Sequence, residues 1–340
     1  MKEALSNPIA GPIVQIVDSP IPKPGPDQVV IKVVVSGSNP KDWKVPEWRG
    51  TTQNQGDDIA GVVHEIGENV FEFKPGDRVA AFHEMVTPGG SYAEYALAWQ
   101  YTTFHIPKQT TFEEAAAIPL AAMTSAIAIY IELGLPQPWN PATEPLPLVI
   151  YGAASAVGVY AIQLAQRSNI HPLICIAGAS AAHVESFIDR SKGDVILDYR
   201  EGDDALVENL KKAAEAAGKP LLHAYDGVSK GTSTANLDKA LAEGAKLTRV
   251  QDLPPPDELA AHVAHTRTRV GRSHEDLKDF AYVYFRYFAR GLAEGWFRPQ
   301  PQVVVPGGLG GVQEALRNLK AGKVNAVKYV FRIADTEGVE

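Results

Sequence analysis

Up to about residue 120 the apolar residues of this chain come in short runs parted by Gly and Pro. Gln28 to Val35 (QVVIKVVV) is β-branched and follows Ile21-Pro22-Lys23-Pro24-Gly25-Pro26-Asp27, the pattern of a strand after an ordered turn. Ile59-Ala60-Gly61-Val62-Val63 lies between Gly56 and Gly67, and Arg78-Val79-Ala80-Ala81-Phe82 follows the turn Lys74-Pro75-Gly76-Asp77. Short strands at this spacing predict a compact β-rich domain. The period then changes. Phe112 to Ala117, after the cap residue Thr111, and Ala121 to Leu133 are rich in helix formers. Past a proline-studded loop from Leu135 to Pro147, Leu148–Tyr151, Leu173–Ile176, Val195–Leu197 and Leu221–Tyr225 read as strands. Helices are expected between them at Val157–Arg167, Ala181–Asp189 and Asp203–Ala217. Such alternation calls for a parallel sheet with helices on both faces. A long helix is expected over Asp276–Trp296, its Tyr and Phe stripe serving as packing, with strands at Gln302–Val305 and Lys328–Ile333 flanking a helix at Gly311–Lys320.

Composition narrows the class. With 340 residues, 45% hydrophobic and 21% charged, the chain exceeds the size at which one core usually stops growing, so two interlocked domains are expected. No apolar run approaches the roughly 18 residues that span a bilayer, which argues against a membrane protein. The net charge of −8 is spread over mixed-sign stretches without a basic block, which argues against nucleic acid. The start, Met1-Lys2-Glu3-Ala4, lacks a secretory pattern, and the single cysteine, Cys175, forms no internal disulfide, so a cytoplasmic setting is expected. One cysteine also excludes a four-ligand structural zinc site of the usual spacing. The histidines nearest in sequence, His262 and His265, read as part of a solvated helix face rather than a metal site.

The segment with the clearest chemistry is Val149-Ile150-Tyr151-Gly152-Ala153-Ala154-Ser155-Ala156-Val157-Gly158, a strand entering a small-residue turn and then a helix. Small residues admit a pyrophosphate close to the backbone, and the helix N-terminus offers free N–H groups and partial positive charge. A dinucleotide cofactor is therefore expected here. At the end of the next strand, where an NAD-preferring fold places an acid for the ribose 2′-hydroxyl, the chain reads Ala177-Gly178-Ala179-Ser180. An acid would repel a 2′-phosphate, whereas Gly and Ser leave room and donors, so NADPH is favoured. Lys192 and Arg200 are the candidate basic partners.

Together with this loop, the segments Ser38-Asn39-Pro40-Lys41-Asp42-Trp43-Lys44, Gly56-Asp57-Asp58-Ile59-Ala60-Gly61, Lys74-Pro75-Gly76-Asp77-Arg78-Val79 and Gly89-Gly90-Ser91-Tyr92-Ala93-Glu94-Tyr95 resemble the medium-chain dehydrogenase/reductase superfamily over nearly the whole chain. The likeness is to its zinc-independent quinone oxidoreductase and enoyl reductase branch, and most to the trans-acting enoyl reductases of fungal polyketide synthases. Zinc-dependent members carry a ligand cysteine and a Gly-His-Glu motif where this chain has Ser38-Asn39-Pro40 and Gly56-Asp57-Asp58, so no catalytic zinc is expected. The resemblance implies an α/β fold in which a doubly wound Rossmann sheet is inserted into a β-rich GroES-like catalytic domain. The expected divisions are 1–122 and 291–340 for the catalytic domain and 123–290 for the NADPH-binding domain.

The same resemblance implies site residues. Lys44 corresponds to a lysine reaching the cofactor near the nicotinamide, and Thr124 to a small polar residue lining the hydride-transfer site. Ala154, Ser155, Ala156 and Val157 match the pyrophosphate loop, Gly178 and Ser180 the 2′-phosphate region, and Tyr199 a tyrosine along the adenosine. Val324 and Asn325 match a C-terminal segment that returns to the nicotinamide. Ser155 departs from the Gly-x-x-Gly-x-x-Gly of many relatives, though its hydroxyl can itself donate to a phosphate. The implied reaction is hydride transfer from NADPH to the β-carbon of an α,β-unsaturated thioester or ketone, followed by protonation at the α-carbon. A quinone oxidoreductase and a non-catalytic NADPH-binding protein stay open as alternatives, as do a monomer and a homodimer. A carrier protein bearing the substrate would need a local basic patch, for which Arg267, Arg269 and Arg272 are candidates.

Overall fold

In the computed structural model, residues 1–7 and 13–339 are described. They form two compact units: Met1–Met123 with Gly271–Glu340, and Thr124–Val270. The chain begins in the first unit with an antiparallel hairpin, β1 (Lys2–Asn7) and β2 (Ile13–Asp18), then β3 (Gln28–Gly37), helix α1 (Lys41–Arg49), β4 (Asp58–Ile66), β5 (Arg78–Phe82), β6 (Tyr95–Trp99) and β7 (Thr103–His105). The short α2 (Phe112–Ala115) is held by a capping box, Thr111 Oγ1 accepting from Glu114 N and the Glu114 carboxylate from Thr111 N. Helix α3 (Pro119–Ala126) then runs into a wider turn over Ile127–Glu132, where i→i+5 bonds such as Leu133 N to Ala128 O appear.

The second unit alternates: β8 (Leu148–Tyr151), α4 (Ala156–Arg167), β9 (Leu173–Ala177), α5 (Ala181–Glu185), β10 (Val195–Asp198), α6 (Asp203–Ala217), β11 (His223–Asp226), α7 (Ser233–Ala240), β12 (Ala245–Arg249) and β13 (Val263–Arg267). All six strands are parallel, in the order β10-β9-β8-β11-β12-β13. That is the doubly wound order, whose direction reverses between β8 and β11, and ligands of such sheets bind beyond the strands' C-terminal ends at that reversal. The strands read as continuous apolar runs because both faces are covered: β8 and β9 are buried throughout.

The chain returns to the first unit with α8 (Lys278–Glu294), β14 (Gln302–Val304), α9 (Val312–Lys320) and β15 (Lys328–Arg332). These complete a seven-stranded sheet, β14-β15-β3-β4-β5-β7, with β6 also on β3. Its core joins Val29, Ile31 and Val33 of β3, Ile59 and Val63 of β4 and Phe331 of β15 to Val312, Ala315 and Leu316, the apolar stripe of α9. The parallel sheet is thus inserted into the β-rich domain as expected.

The expected division at residue 290 is corrected to 270, because α8 belongs to the first unit. Its Phe285 stacks on Phe104 at 5.5 Å, and Arg286 donates to the carbonyls of Gln100, Tyr101 and Thr103 and pairs with Glu72 at 2.7 Å. The first boundary falls after Met123, one residue from the expected place. His262 and His265 flank and occupy β13 rather than a helix, and the His265 ring is buried 3.3 Å from Asp238. The helical stretch Phe112–Glu132 is long and apolar enough to cross a membrane, which the sequence reading did not anticipate, but 89% of its apolar window is buried within the protein.

Candidate active site

In the second unit the chain leaves β8 through Gly152, whose φ is +76°. A Cβ there would lie 2.3 Å from Val228 Cγ2, so glycine alone lets this turn pass the segment after β11. Ser155 caps α4, its Oγ accepting from Gly158 N at 3.1 Å, which leaves the hydroxyl proton available to donate outward. Gly158 packs against the loop so tightly that a Cβ would sit 2.4 Å from Gly152 O. Ala154, Ser155, Ala156 and Val157 thus form a small-residue cradle, and the first-turn amides of the 12-residue α4 have no partner within the helix. The cradle fits a pyrophosphate.

Gly178 follows β9 and Tyr199 follows β10, and the two touch: a Cβ on Gly178 would meet Tyr199 Cε1 at 2.7 Å. The tyrosine ring is therefore seated on bare backbone, 47% exposed and 6.3 Å from the Tyr151 ring, a flat face at the sheet's C-terminal edge. Ser180 precedes α5 without making a capping hydrogen bond. Of the basic candidates, Arg200 is engaged by Asp198 through contacts of 2.6 to 3.1 Å, and its guanidinium holds that carboxyl down at about 2. Lys192 lies in an exposed turn.

Thr124 is buried at the start of this unit, and the next residue, Ser125, donates from Oγ to Val157 O at 2.6 Å. The sequence reading missed Ser125 and the segment Asp226–Ser229. Asp226 Oδ1 accepts from Val228 N and Ser229 N while Oδ2 accepts from Ser233 Oγ, which fixes the turn backing Gly152. Ser229 is left-handed at φ +54°, and its carbonyl accepts from Arg249 and Gln251. The Asp226-Gly227 pair at a strand end was the signal available.

In the first unit, α1 carries Lys44, half-buried, with Nζ 5.6 Å from the Trp43 ring centroid. Lys320 of α9 lies 5.5 Å from the same ring. Val324 and Asn325 occupy the loop between α9 and β15, just before Ala326 at φ +52°. Beside α1 is a buried ionic network in two halves. In one half Asp58 is saturated: Oδ1 accepts from Leu120 N at 2.7 Å, and Oδ2 from Asn39 Nδ2 at 2.8 Å and Lys328 Nζ at 2.6 Å. Lys328 also donates to Asn39 Oδ1 at 2.8 Å. In the other half Lys41 Nζ bridges Asp57 and, at 3.3 Å, Asp42, and donates to Gln55 O at 2.6 Å. Tyr92 Oη donates to Asp42 Oδ2 at 2.5 Å. Burial pushes Asp42 and Asp57 up to about 6 against the opposing pull of Lys41. Burial works against the Lys41 ammonium, but Asp57 and Asp42 outweigh it and hold its pKa above the usual value.

The network occupies the positions at which the resemblance places zinc ligands. Asp57 and Asp58 each meet a lysine there, and Ser38 Oγ donates to Tyr329 O at 3.1 Å. Residues 25–108 match the alcohol dehydrogenase GroES-like domain. The chain is 52% identical over 312 residues to trans-enoyl reductase fsr4 of Gibberella fujikuroi, covering 90% of this chain and 91% of that one. It belongs to the trans-enoyl reductases. These form part of the zinc-independent branch of the medium-chain dehydrogenase/reductase superfamily. Trans-enoyl reductase resD of Aspergillus sclerotiorum is 31% identical over 97% of this chain and 100% of its own length. The fold is also that of mycobacterial Rv1454c, solved with NADPH, at TM-score 0.77, 22% identity and coverage of 97% and 99% of the two chains.

In this trans-enoyl reductase two of the three candidate basic residues, Arg267 and Arg272, are ion-paired. Arg267 pairs with Asp252, and Arg272 donates to both carboxylate oxygens of Asp276, at 3.0 and 2.6 Å.

Proposed function

We propose that the chain is an NADPH-dependent enoyl reductase acting on an α,β-unsaturated thioester or ketone. The observation that carries this reading is the identity shared with a trans-enoyl reductase along nine-tenths of the chain. Bound NADPH would supply the hydride for the β-carbon. Ala154, Ser155, Ala156 and Val157 would hold its pyrophosphate through α4 amides and the Ser155 hydroxyl, with Gly178, Ser180 and Tyr199 along the adenosine and its 2′-phosphate. Lys44, Val324 and Asn325 would hold the nicotinamide end, and Thr124 would shape the acceptor site. The chain's own catalytic work is to fix the acceptor and to offer hydrogen-bond donors to the enolate oxygen. The acceptor is a small-molecule enoyl or enone compound, free or borne on a carrier protein.

The test is optical: NADPH oxidation in strong chelator against enoyl thioesters, enones and quinones, with NADH in parallel. Turnover of enoyl thioesters with NADPH is expected. Turnover of quinones alone would replace the reading by a quinone oxidoreductase, and tight NADPH binding without turnover of any acceptor would replace it by a binding role.

A further inference from the structure

In the first unit, a cavity of about 300 Å³ lies where the turn after β6 meets the loop between β4 and β5, the residue before β3 and the first turns of α8. Four aromatic side chains line it: Phe71, Trp99, Tyr101 and Tyr282. Trp99 and Tyr101 are stacked, with 5.8 Å between ring centroids and 22° between planes. Phe71 is 80% exposed and Tyr282 38%, so both leave apolar ring surface in water. The polar ends of the rings are engaged elsewhere. The Trp99 indole N–H donates to Glu84 Oε2 at 2.8 Å, the Tyr282 hydroxyl donates to Glu72, and Arg286 lies 3.8 Å over the Tyr282 ring while pairing with Glu72. The Tyr101 hydroxyl is buried. The walls are thereby fixed in orientation and present ring carbon rather than hydrogen-bonding groups. Two charged side chains complete the lining, Lys278 at the first position of α8 and Asp27 just before β3. Neither forms an ion pair among the described residues. Lys278 Nζ stands 5.9 Å from the Tyr101 ring centroid, and Asp27 Oδ1 accepts one long hydrogen bond, 3.3 Å, from Gln100 Nε2.

We propose that this cavity is a binding site for a small planar aromatic carboxylic acid that also carries a hydroxyl group. A flat ring gains contact with the aromatic walls, its carboxylate accepts from the Lys278 ammonium, and its hydroxyl donates to the Asp27 carboxylate. The two charges together set the class. A purely apolar ring would desolvate both without a partner, a cation would meet Lys278, and an anion with no donor would meet Asp27. The volume is at the low end of the range for ligand pockets, which limits the guest to one or two fused rings. The site lies at the N-terminal end of β3, where Gln28 pairs with Trp99, whereas α1 follows the C-terminal end of that strand. Ten residues at ~3.3 Å each put about 30 Å of strand between them. The cavity is therefore separate from Lys44 and the buried ionic network, and it draws on no residue assigned to NADPH or to the acceptor. The proposal does not depend on the enoyl-reductase reading.

The probe is 6-hydroxy-2-naphthoate, titrated calorimetrically into the full-length protein, beside 2-naphthoate, which lacks the donor, and 2-naphthol, which lacks the carboxylate. One molecule per chain is expected, with a Kd of about 1 mM or tighter. Each incomplete compound should bind about three- to tenfold more weakly, because both charged groups are partly open to solvent. Lys278→Met should abolish the preference over 2-naphthol, and Asp27→Ala the preference over 2-naphthoate. Phe71→Ala should weaken all three compounds about three- to tenfold. These side chains are exposed or half-buried, and an unchanged thermal unfolding curve and NADPH Kd verify the fold of each variant. Binding of the probe should persist at saturating NADPH. Absence of binding, displacement by NADPH, or an affinity unaltered in both Phe71→Ala and Lys278→Met overturns the site, and equal binding of the three compounds overturns the ligand class.

Discussion

Replacing Gly152 by alanine tests the geometry of the cofactor loop most directly. Two costs are separable in the structure. At φ +76° a residue with a Cβ costs about 1–2 kcal/mol relative to glycine. The new Cβ would also lie 2.3 Å from Val228 Cγ2, an overlap of the kind that costs about 1–3 kcal/mol. The remaining neighbours of that Cβ are at 3.6 Å or beyond, so a single methyl carries the clash. Gly152→Ala should therefore lose about 2–5 kcal/mol in total. Part of it should appear as weaker NADPH binding, because relieving the overlap moves either the loop or the Asp226–Ser229 segment behind it. Val228→Ala in the same chain removes the methyl and should restore the steric part, leaving about 1–2 kcal/mol for the backbone. Urea unfolding and NADPH fluorescence titration of the two single variants and the double variant close a cycle whose expected coupling is about 1–3 kcal/mol. A coupling near zero would show that the loop does not pass against Val228.

Lys328→Met leaves the Asp58 carboxylate buried beside only Leu120 N and Asn39 Nδ2, so thermal unfolding should report a loss of about 3–5 kcal/mol. A loss under about 1 kcal/mol would mean that the pair is not buried. Asp57 has its pKa raised by burial, so it binds more protons folded than unfolded between about pH 4 and 6, and its contribution is lost as pH rises through that window. The stability difference between wild type and Asp57→Asn should accordingly fall from pH 4 to pH 6 in urea titrations, and a rising difference would mean that folding lowers the Asp57 pKa. Tyr199→Ala should weaken NADPH about 5–10-fold by removing an aromatic face, whereas Asp198→Asn should free Arg200 and tighten NADPH over NADH. Equal changes for the two cofactors in Asp198→Asn would exclude Arg200 from 2′-phosphate recognition.

The parts legible in the sequence were those where one local rule dominates. Buried parallel strands such as Leu148–Tyr151 and Leu173–Ala177 announce themselves as apolar runs, and the Gly152–Gly158 loop by its small residues between strand and helix. Helix α6 matched to the residue because Gly202 and Gly218 bracket a clean amphipathic period. Helix α1 was not anticipated, since Pro46 lies inside it and two of its charged residues, Lys41 and Asp42, join a network with Asp57 and Tyr92 from elsewhere in the chain. Strands β12 and β13 were overlooked for a related reason: Lys246, Arg249, His265 and Arg267 break the apolar run, and partners such as Asp238 and Ser229 bury or hold those side chains from elsewhere in the unit. Ser125 carries no local signal at all. Its hydrogen bond to Val157 spans 32 residues and exists only once the sheet has formed.

The ionic network shows what buried carboxylates require at these positions. A carboxylate taken out of water must meet a positive charge or a proton, and three of them lie buried here at Asp42, Asp57 and Asp58. Lys328 and Lys41 supply two ammonium charges, which leaves the set one charge short of neutrality. Asp58 takes Lys328 together with two neutral donors and needs nothing more. Asp42 and Asp57 share Lys41, and burial, only partly offset by that one ammonium, drives both upward to about 6. A divalent ion would fix its ligands in the ionised state, whereas two carboxyls sharing one ammonium retain a proton that can move.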